Sequence, residues 1–303
     1  MQEQRLPLKG IYPALFTPYD ETGAISEEML RKLISVQVAA GVDGVYLCGG
    51  TGEGLLLSIE ERKRVAEIAV QEAKGHAKVV VHVGSVATGD CVELAQHAEQ
   101  VGADAVSSVP PFYYGVSIDG IADHYAQIAA ACGLPLLLYN IPTAVQVTVT
   151  PDMMSRFLEI STVSGIKFSS YHLFHMWQML QLDSGRLSVF SGNDEVLLGA
   201  LAMGAHGAIG LTLNLMPGLY RDLYKSATSG DFATARCLQD YANRVIAILL
   251  RYPVIPAAKE AMRWIGYDCG PCRSPLERLT PAQSTQLIAE LRKAEFFDRD
   301  FGI

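Results

Sequence analysis

The sequence predicts a (β/α)8 barrel with a C-terminal helical appendage, and three observations carry that expectation. Eight short apolar runs alternate with longer amphipathic stretches along most of the chain. The runs are apolar on both faces, as strands of a parallel sheet covered by helices must be. Three helix tails, Ala40-Gly41-Val42-Asp43-Gly44, Val101-Gly102-Ala103-Asp104-Ala105 and Met203-Gly204-Ala205-His206-Gly207, stop at glycine and turn into the next strand. That is the form of the αβ loops on the bottom face of a barrel. Eight units close a barrel; a doubly wound open sheet is the alternative arrangement of the same alternation. Residues 1–227 are assigned to the catalytic barrel and 228–303 to the helical extension.

In chain order, residues 1–10 are polar and lack the apolar stretch and cleavage site of a secretory signal, so a cytoplasmic location is expected. A strand over 11–17 leads to a helix over 27–40, opened by Ser26 with Glu27 and Glu28 in its first turn. The strand 44–48 is followed by a glycine-rich turn and a helix over 60–73 that Ser58, Glu60 and Glu61 start in the same way. Strands at 78–84, 105–110, 134–139 and 164–168 follow, separated by helices at 91–101, 118–131 and 151–159. The last two strands lie at 187–191 and 207–210. Beyond Pro217 only helical patterns remain, at 219–226, 232–250, 256–265 and 281–294. No flexible linker precedes them, so the extension should pack directly on the barrel.

Composition narrows the function classes. The chain has 303 residues, 50% hydrophobic and 18% charged, enough for one large core or two ordinary domains. A net charge of −8 without any basic run disfavours a nucleic-acid or anionic-membrane partner. The apolar runs are too short to span a bilayer. Six scattered cysteines (Cys48, Cys91, Cys132, Cys237, Cys269, Cys272) suit free thiols in a reducing compartment. Cys269-Gly270-Pro271-Cys272 matches the thioredoxin active-site tetrapeptide, but it follows a helical pattern near the C-terminus instead of opening a helix after an early strand. A loop holding two reduced cysteines is expected there.

In a barrel of this kind, chemistry collects where the strands run out into the loops after them. The second strand ends in Cys48-Gly49-Gly50-Thr51-Gly52-Glu53-Gly54, whose exposed N–H groups and Thr51 hydroxyl suit a carboxylate or phosphate, or simply a tight turn. The fourth ends in Pro110-Pro111-Phe112-Tyr113-Tyr114 and the fifth in Tyr139-Asn140-Ile141-Pro142, placing phenols at the mouth for proton relay or packing. The sixth carries Lys167 within Val163-Ser164-Gly165-Ile166-Lys167-Phe168-Ser169-Ser170. A buried ammonium is costly, and a low dielectric favours the neutral amine, the form that attacks a carbonyl to give a Schiff base; a lysine at a strand end can also snorkel to water. The seventh ends in Ser191-Gly192-Asn193-Asp194-Glu195, two carboxylates able to grip substrate hydroxyls or to cap a helix. His172 and His175 could face one metal, but no third ligand is placed with them, so no metal site is assigned.

Taken together and in this order, Gly49-Gly50-Thr51-Gly52-Glu53, Pro111-Phe112-Tyr113-Tyr114, Tyr139-Asn140-Ile141-Pro142, Gly165-Ile166-Lys167 and Gly192-Asn193-Asp194-Glu195 resemble the family of N-acetylneuraminate lyase and dihydrodipicolinate synthase. The resemblance runs from Gly10-Ile11-Tyr12-Pro13 to Cys272-Arg273-Ser274-Pro275-Leu276. It implies a pyruvate-dependent class I aldolase that uses no cofactor beyond the covalent imine of pyruvate on Lys167. It further implies that Tyr139 shuttles protons at the bond cleaved, that Gly50 and Thr51 hold the pyruvoyl carboxylate, and that Tyr113 completes a neighbouring subunit's site in a homotetramer. Ser169, Gly192, Asp194, Glu195 and Leu211 fall at substrate-binding positions. A small 2-keto acid is the implied partner.

Two details favour the lyase branch. The synthases carry an arginine shortly after the relay tyrosine, and Tyr139-Asn140-Ile141-Pro142-Thr143-Ala144-Val145-Gln146 has none. Asp194 and Glu195 match the acidic pair with which sialic acid lyases grip a polyhydroxylated tail. Three positions depart from the pattern: Gly50 replaces a serine or threonine, Gln146 a glycine, and Leu211 a serine. The expected reaction is cleavage of a 2-keto-3-deoxy sugar acid, N-acetylneuraminate first, with dihydrodipicolinate synthase or a 2-keto-3-deoxygluconate-type aldolase or dehydratase as alternatives.

Overall fold

The computed structural model describes residues 8–299, 301 and 302. Most of the N-terminal segment from which the missing secretory signal was read lies outside them. Eight strands alternate with helices: β1 (Gly10–Pro13), α1 (Glu27–Ala39), β2 (Gly44–Leu47), α2 (Ile59–Ala73), β3 (Lys78–His82), α3 (Thr88–Val101), β4 (Ala105–Ser108), α4 (Ile118–Ala131) and β5 (Leu136–Asn140). The chain continues through α5 (Pro142–Val145), α6 (Pro151–Phe157), β6 (Val163–Phe168), α7 (Leu173–Leu180), β7 (Ser188–Ser191), α8 (Leu197–Ala202), β8 (Gly207–Gly210) and α9 (Pro217–Thr228). Helices α10 (Phe232–Leu249), α11 (Val254–Trp264) and α12 (Pro281–Lys293) form the appendage. No helix among the described residues is long and apolar enough to cross a membrane.

The strands are all parallel and run in the order β1-β8-β7-β6-β5-β4-β3-β2. The two end strands meet through a parallel bridge between Ala14 and Tyr46, which brings the sheet round into a barrel. This is the expected (β/α)8 architecture, and the doubly wound alternative is set aside.

Side-chain alternation divides each strand between two environments. Val45, Leu47, Val79, Val81, Val106, Leu138, Ile166, Phe168 and Val189 pack in the layer beneath the helices. Tyr12, Tyr46, Val80, Ala105, Leu137, Tyr139, Phe190 and Ile209 fill the interior. A third cluster joins β1 and β8, through Ile11 and Ala208, to Tyr241, Val245, Leu249, Ala261, Leu287 and Leu291 of the appendage. Residues of α10, α11 and α12 thus share one apolar cluster with β1 and β8.

Caps account for most boundaries. Ser26 accepts from Met29 N, and Ser58 forms a capping box with Glu61. Where the cap is missing, the boundary moves: α3 begins at Thr88, earlier than expected, behind Ala87, which offers no side-chain cap. Helix α11 starts two residues before Pro256, whose missing N–H costs nothing in a first turn. The first strand stops at Pro13, short of the run expected to continue to Thr17. The single turn α5 (Pro142–Val145) was not expected.

Candidate active site

Lys167 owes its place to strand alternation. Ile166 and Phe168 face the helices, so Lys167 between them must point into the barrel, where it is 4% exposed. The register sets Tyr139 of β5 and Phe190 of β7 on either side of it. Its Nζ lies 4.2 Å from the Tyr139 ring centroid and 4.6 Å from that of Tyr46. Aromatic faces stabilise a cation moderately without neutralising it.

A second buried lysine supplies the contrast. Lys259 of α11, 3% exposed, has its ammonium 2.6 Å from Glu53 Oε1 and donates to Thr17 O at 3.0 Å. Glu53 Oε2 in turn accepts from Arg273 N at 2.7 Å. That lysine is committed to a carboxylate and a carbonyl. Lys167 has phenol faces instead, and it lies at the C-terminal end of a barrel strand.

The Tyr46 hydroxyl is bound to Ser107 Oγ at 3.0 Å, and its ring lies edge-on to that of Tyr139. Burial pushes the Tyr46 phenol well above its ordinary range, with Tyr139 adding to the effect. His82 sits against both rings at the end of β3. Its Nδ1 is 3.2 Å from Cys48 O, which assigns the proton to Nδ1 and leaves Nε2 as a buried acceptor without a protein partner among the described residues. Burial, then the charges of Arg62 and Lys167, hold the imidazole well below its ordinary range, so it is neutral at neutral pH.

The glycine-rich turn after β2 is fastened from beneath. Thr17 Oγ1 donates to Gly52 O at 2.6 Å, Glu53 N to Gly50 O at 3.0 Å, and Gly54 N to Gly49 O at 3.1 Å. Glu53 takes a left-handed φ of 55°, held by its ion pair with Lys259. A Cβ on Gly54 would lie 1.8 Å from Cys48 O, so that position admits only glycine. Gly50 is different: it is exposed, and a Cβ there would meet nothing within 4 Å. Thr51 beside it is half-buried. A cleft of about 280 Å³ runs past Gly49, Gly50, His82 and Tyr139, walled by Phe112, Ile141 and other apolar side chains.

Across the mouth, the loop after β7 brings up the acidic pair, and the two carboxylates differ. Asp194 is buried; Thr212 N and Thr212 Oγ1 both donate to its Oδ2 at 2.7 Å, and Oδ1 has no protein partner among the described residues. Burial raises its carboxyl to about 6, against the pull of the Thr212 hydrogen bonds and the Lys167 charge. Glu195 is half-exposed and accepts a short hydrogen bond from the Tyr171 hydroxyl. Gly192 passes so close to Ser169 that a Cβ would lie 1.9 Å from Ser169 Oγ, a buried atom without a partner among the described residues.

The remaining predicted positions fall further out. Tyr113, 87% exposed and at φ 76°, stacks edge-on with Tyr114 on the surface. Leu211 is half-buried and packs toward the appendage cluster. Gln146 takes a φ of 55°, the left-handed conformation for which the glycine it replaces is suited. His172 caps α7 by accepting His175 N at Nδ1, and the two rings stack 3.7 Å apart. No three His, Cys, Asp or Glu side chains among the described residues gather as a metal-holding group. Cys269 and Cys272 are free, buried, and pushed up to about 12 by burial, the opposite of a reactive thiolate.

Sequence reading missed Tyr46, His82, Ser107, Thr212, Tyr220, Gln239 and Asn243. His82 was within reach: it ends the run Lys78-Val79-Val80-Val81-His82 at the same inward phase as Val80.

A buried lysine among phenols at the C-terminal mouth of a (β/α)8 barrel is the arrangement a class I aldolase uses. Comparison with known proteins bears this out. Residues 7–294 match the family described as "Dihydrodipicolinate synthetase family". The N-acetylneuraminate lyase of Rhizobium meliloti (strain 1021) is 36% identical over 95% of either chain, and that of Escherichia coli (strain SE11) is 38% identical over 88% of this chain and 91% of its own. The crystal structure of CdNal from Clostridium difficile in complex with mannosamine superposes with a TM-score of 0.91 at 32% identity, covering 95% of this chain and 99% of that one. That of dihydrodipicolinate synthase from Aquifex aeolicus gives 0.91 at 31%, with the same coverage. The chain belongs to the dihydrodipicolinate synthetase family and is a pyruvate-dependent lyase.

Proposed function

We propose that this enzyme cleaves a 2-keto-3-deoxy sugar acid, N-acetylneuraminate foremost, to pyruvate and an aldehyde. The observation that carries the reading is the acidic pair Asp194 and Glu195 on the loop after the seventh strand, with one Asp194 oxygen held by Thr212 and the other without a partner among the described residues. Mannosamine bound to a relative of the same fold is the kind of amino sugar such a reaction releases.

In this reading the neutral Lys167 amine attacks the keto carbon, and loss of water gives the protonated imine. Tyr139 takes the proton of the hydroxyl on the carbon next to the bond that breaks. That carbon becomes the aldehyde, and the bonding pair moves into the imine to leave an enamine. Protonation of the enamine and hydrolysis of the imine release pyruvate and restore the amine. A phenol is a weak base at neutral pH, so Tyr139 depends on relayed protons. Gly50 and Thr51 hold the pyruvoyl carboxylate through backbone N–H groups and one hydroxyl, while Ser169, Gly192, Glu195 and Leu211 line the path of the tail. Tyr113 serves a neighbouring subunit in a homotetramer, which suits its exposure on its own chain. Free cysteines such as Cys48, Cys91 and Cys269 support a reducing, cytoplasmic setting.

A pyruvate-release screen over N-acetylneuraminate and 2-keto-3-deoxygluconate, run beside a synthase assay with pyruvate and aspartate semialdehyde, tests the assignment. Release from N-acetylneuraminate above the other acid is expected. Turnover of aspartate semialdehyde with none of either sugar acid would overturn it.

A further inference from the structure

The acidic loop is not held by the barrel alone. Gln239 and Asn243, four apart on one face of α10, reach across from the appendage to the main chain of both acids. Gln239 Nε2 donates to Asp194 O at 3.0 Å, and Asn243 Nδ2 donates to Glu195 O at 3.0 Å. The two amides are also joined to each other, Gln239 Nε2 to Asn243 Oδ1 at 2.9 Å. Gln239 Oε1 accepts from Leu198 N at 2.9 Å, in the first turn of α8, so the same side chain fixes both ends of the segment. Gln239 is buried, where an amide this fully bonded has little freedom to move. On the opposite side of the loop, Thr212 holds Asp194 Oδ2 and is itself 2.6 Å from the Tyr220 hydroxyl of α9.

We propose that Gln239 and Asn243 are positioning residues for substrate selection: they set where the Asp194 and Glu195 carboxylates stand relative to Lys167, and so which polyol tail the enzyme accepts. The inference rests on the sugar-acid reading above. The amides touch neither Lys167 nor the glycine-rich turn, so pyruvate itself does not depend on them. Displacing a carboxylate by a fraction of an ångström weakens its hydrogen bonds to substrate hydroxyls while leaving imine chemistry at the sixth strand in place.

Three variants separate this role from general stabilisation. Gln239→Glu keeps an acceptor for Leu198 N but turns an oxygen toward Asp194 O and Asn243 Oδ1. Gln239→Met removes all the polar contacts at similar size, and Asn243→Leu, at a half-buried site, releases Glu195 and takes one acceptor from Gln239 while leaving Gln239 on Asp194 O. Each is assayed for kcat and KM on N-acetylneuraminate, for the rate of borohydride trapping with pyruvate, and for thermal unfolding. The proposal expects KM to rise by about tenfold or more for Gln239→Glu and less for Asn243→Leu, with pyruvate trapping within about twofold of the parent. Equal losses in cleavage and trapping, or unchanged KM in a folded Asn243→Leu and Gln239→Glu, would overturn it. If the parent itself cleaves no sugar acid but condenses pyruvate with aspartate semialdehyde, the sugar-acid reading falls and takes this selection role with it. Activity in the parent with indifferent variants removes the clamp alone.

Discussion

Replacing Lys259 with methionine should leave the chemistry at Lys167 intact and cost the fold heavily. The substitution removes the ammonium from Glu53 Oε1 and from Thr17 O, while the Arg273 N–H remains on Glu53 Oε2. Both side chains of the pair are almost fully buried, at 3% and 0% exposed. Stripping one partner from a buried pair costs about 3 to 5 kcal/mol, because the other charge is left without compensation. A chain of 303 residues unfolds with an entropy on the order of 0.6 kcal/mol per kelvin, so the melting temperature should fall by roughly 5 to 8 °C. Adding Glu53→Gln removes the stranded charge and keeps an acceptor for Arg273 N, and should restore most of the loss. Calorimetry of the parent, the single variant and the double variant measures the effect. Mass mapping of the pyruvate and borohydride adduct on the same proteins should find Lys167 modified in each. A single variant that melts within a degree of the parent, or an adduct on Lys259 in the parent, would refute the reasoning.

Lys167→Arg should fold and form no adduct, since guanidinium stays protonated and cannot attack; trapping by that variant would sink the assignment. Tyr139→Phe should form the imine but turn over about 10² to 10⁴ times more slowly, and near-parental turnover would rule out the relay. Gly50→Ser meets open space and should fold normally; if a hydroxyl there joins the relay, its turnover on N-acetylneuraminate rises, and a fall instead would show that glycine suits this enzyme's substrate. The Asp194 carboxyl is raised from 3.8 to about 6, so the stability it contributes is full below about 3.8 and is lost as pH rises through about 6. That loss is on the order of 3 kcal/mol, and a parent and Asp194→Asn pair whose stabilities stay parallel between pH 4 and 7 would show the shift to be absent.

The elements were legible because each carries its own signal. Ser26 and Ser58 announce helices, Gly102 ends one at φ 88°, and the double-faced runs announce parallel strands. Lys167 was legible for the same reason, being the one charge inside such a run. What stayed hidden depends on phase and distance. The alternation that turns His82 inward is as visible as that of Lys167, but a histidine at a strand end looks like an ordinary polar terminus until Tyr46 and Tyr139 are seen against it. Gln239 and Asn243 look like solvated residues of an amphipathic helix, and nothing local says that the loop after β7, more than forty residues away, lies against them. The two acids also looked equivalent. Only the fold shows that Thr212 consumes half of Asp194 and that Tyr171 caps Glu195.

Buried polar groups in this barrel differ in how completely the protein satisfies them. Glu53 pairs with the Lys259 ammonium at 2.6 Å and accepts from Arg273 N, and their effect is to hold a turn still. Around Lys167 satisfaction stops half-way: His82 Nε2, Ser169 Oγ and Asp194 Oδ1 are buried without protein partners among the described residues. Such atoms cost a folded protein free energy unless something else supplies the missing bond. Other unpartnered atoms are scattered elsewhere, Gln37 Oε1 and Tyr241 Oη among them, so the count alone means little. Chemistry gives these three their meaning: an acceptor, a hydroxyl and a carboxylate oxygen all stand at the strand ends and loops that ring one buried amine. On the proposed reading, a substrate bearing an acid, a ketone and several hydroxyls presents the complementary groups, whereas aspartate semialdehyde, without hydroxyls, would bring its single carboxylate toward Asp194 and Glu195 with no arginine after Tyr139 to receive it.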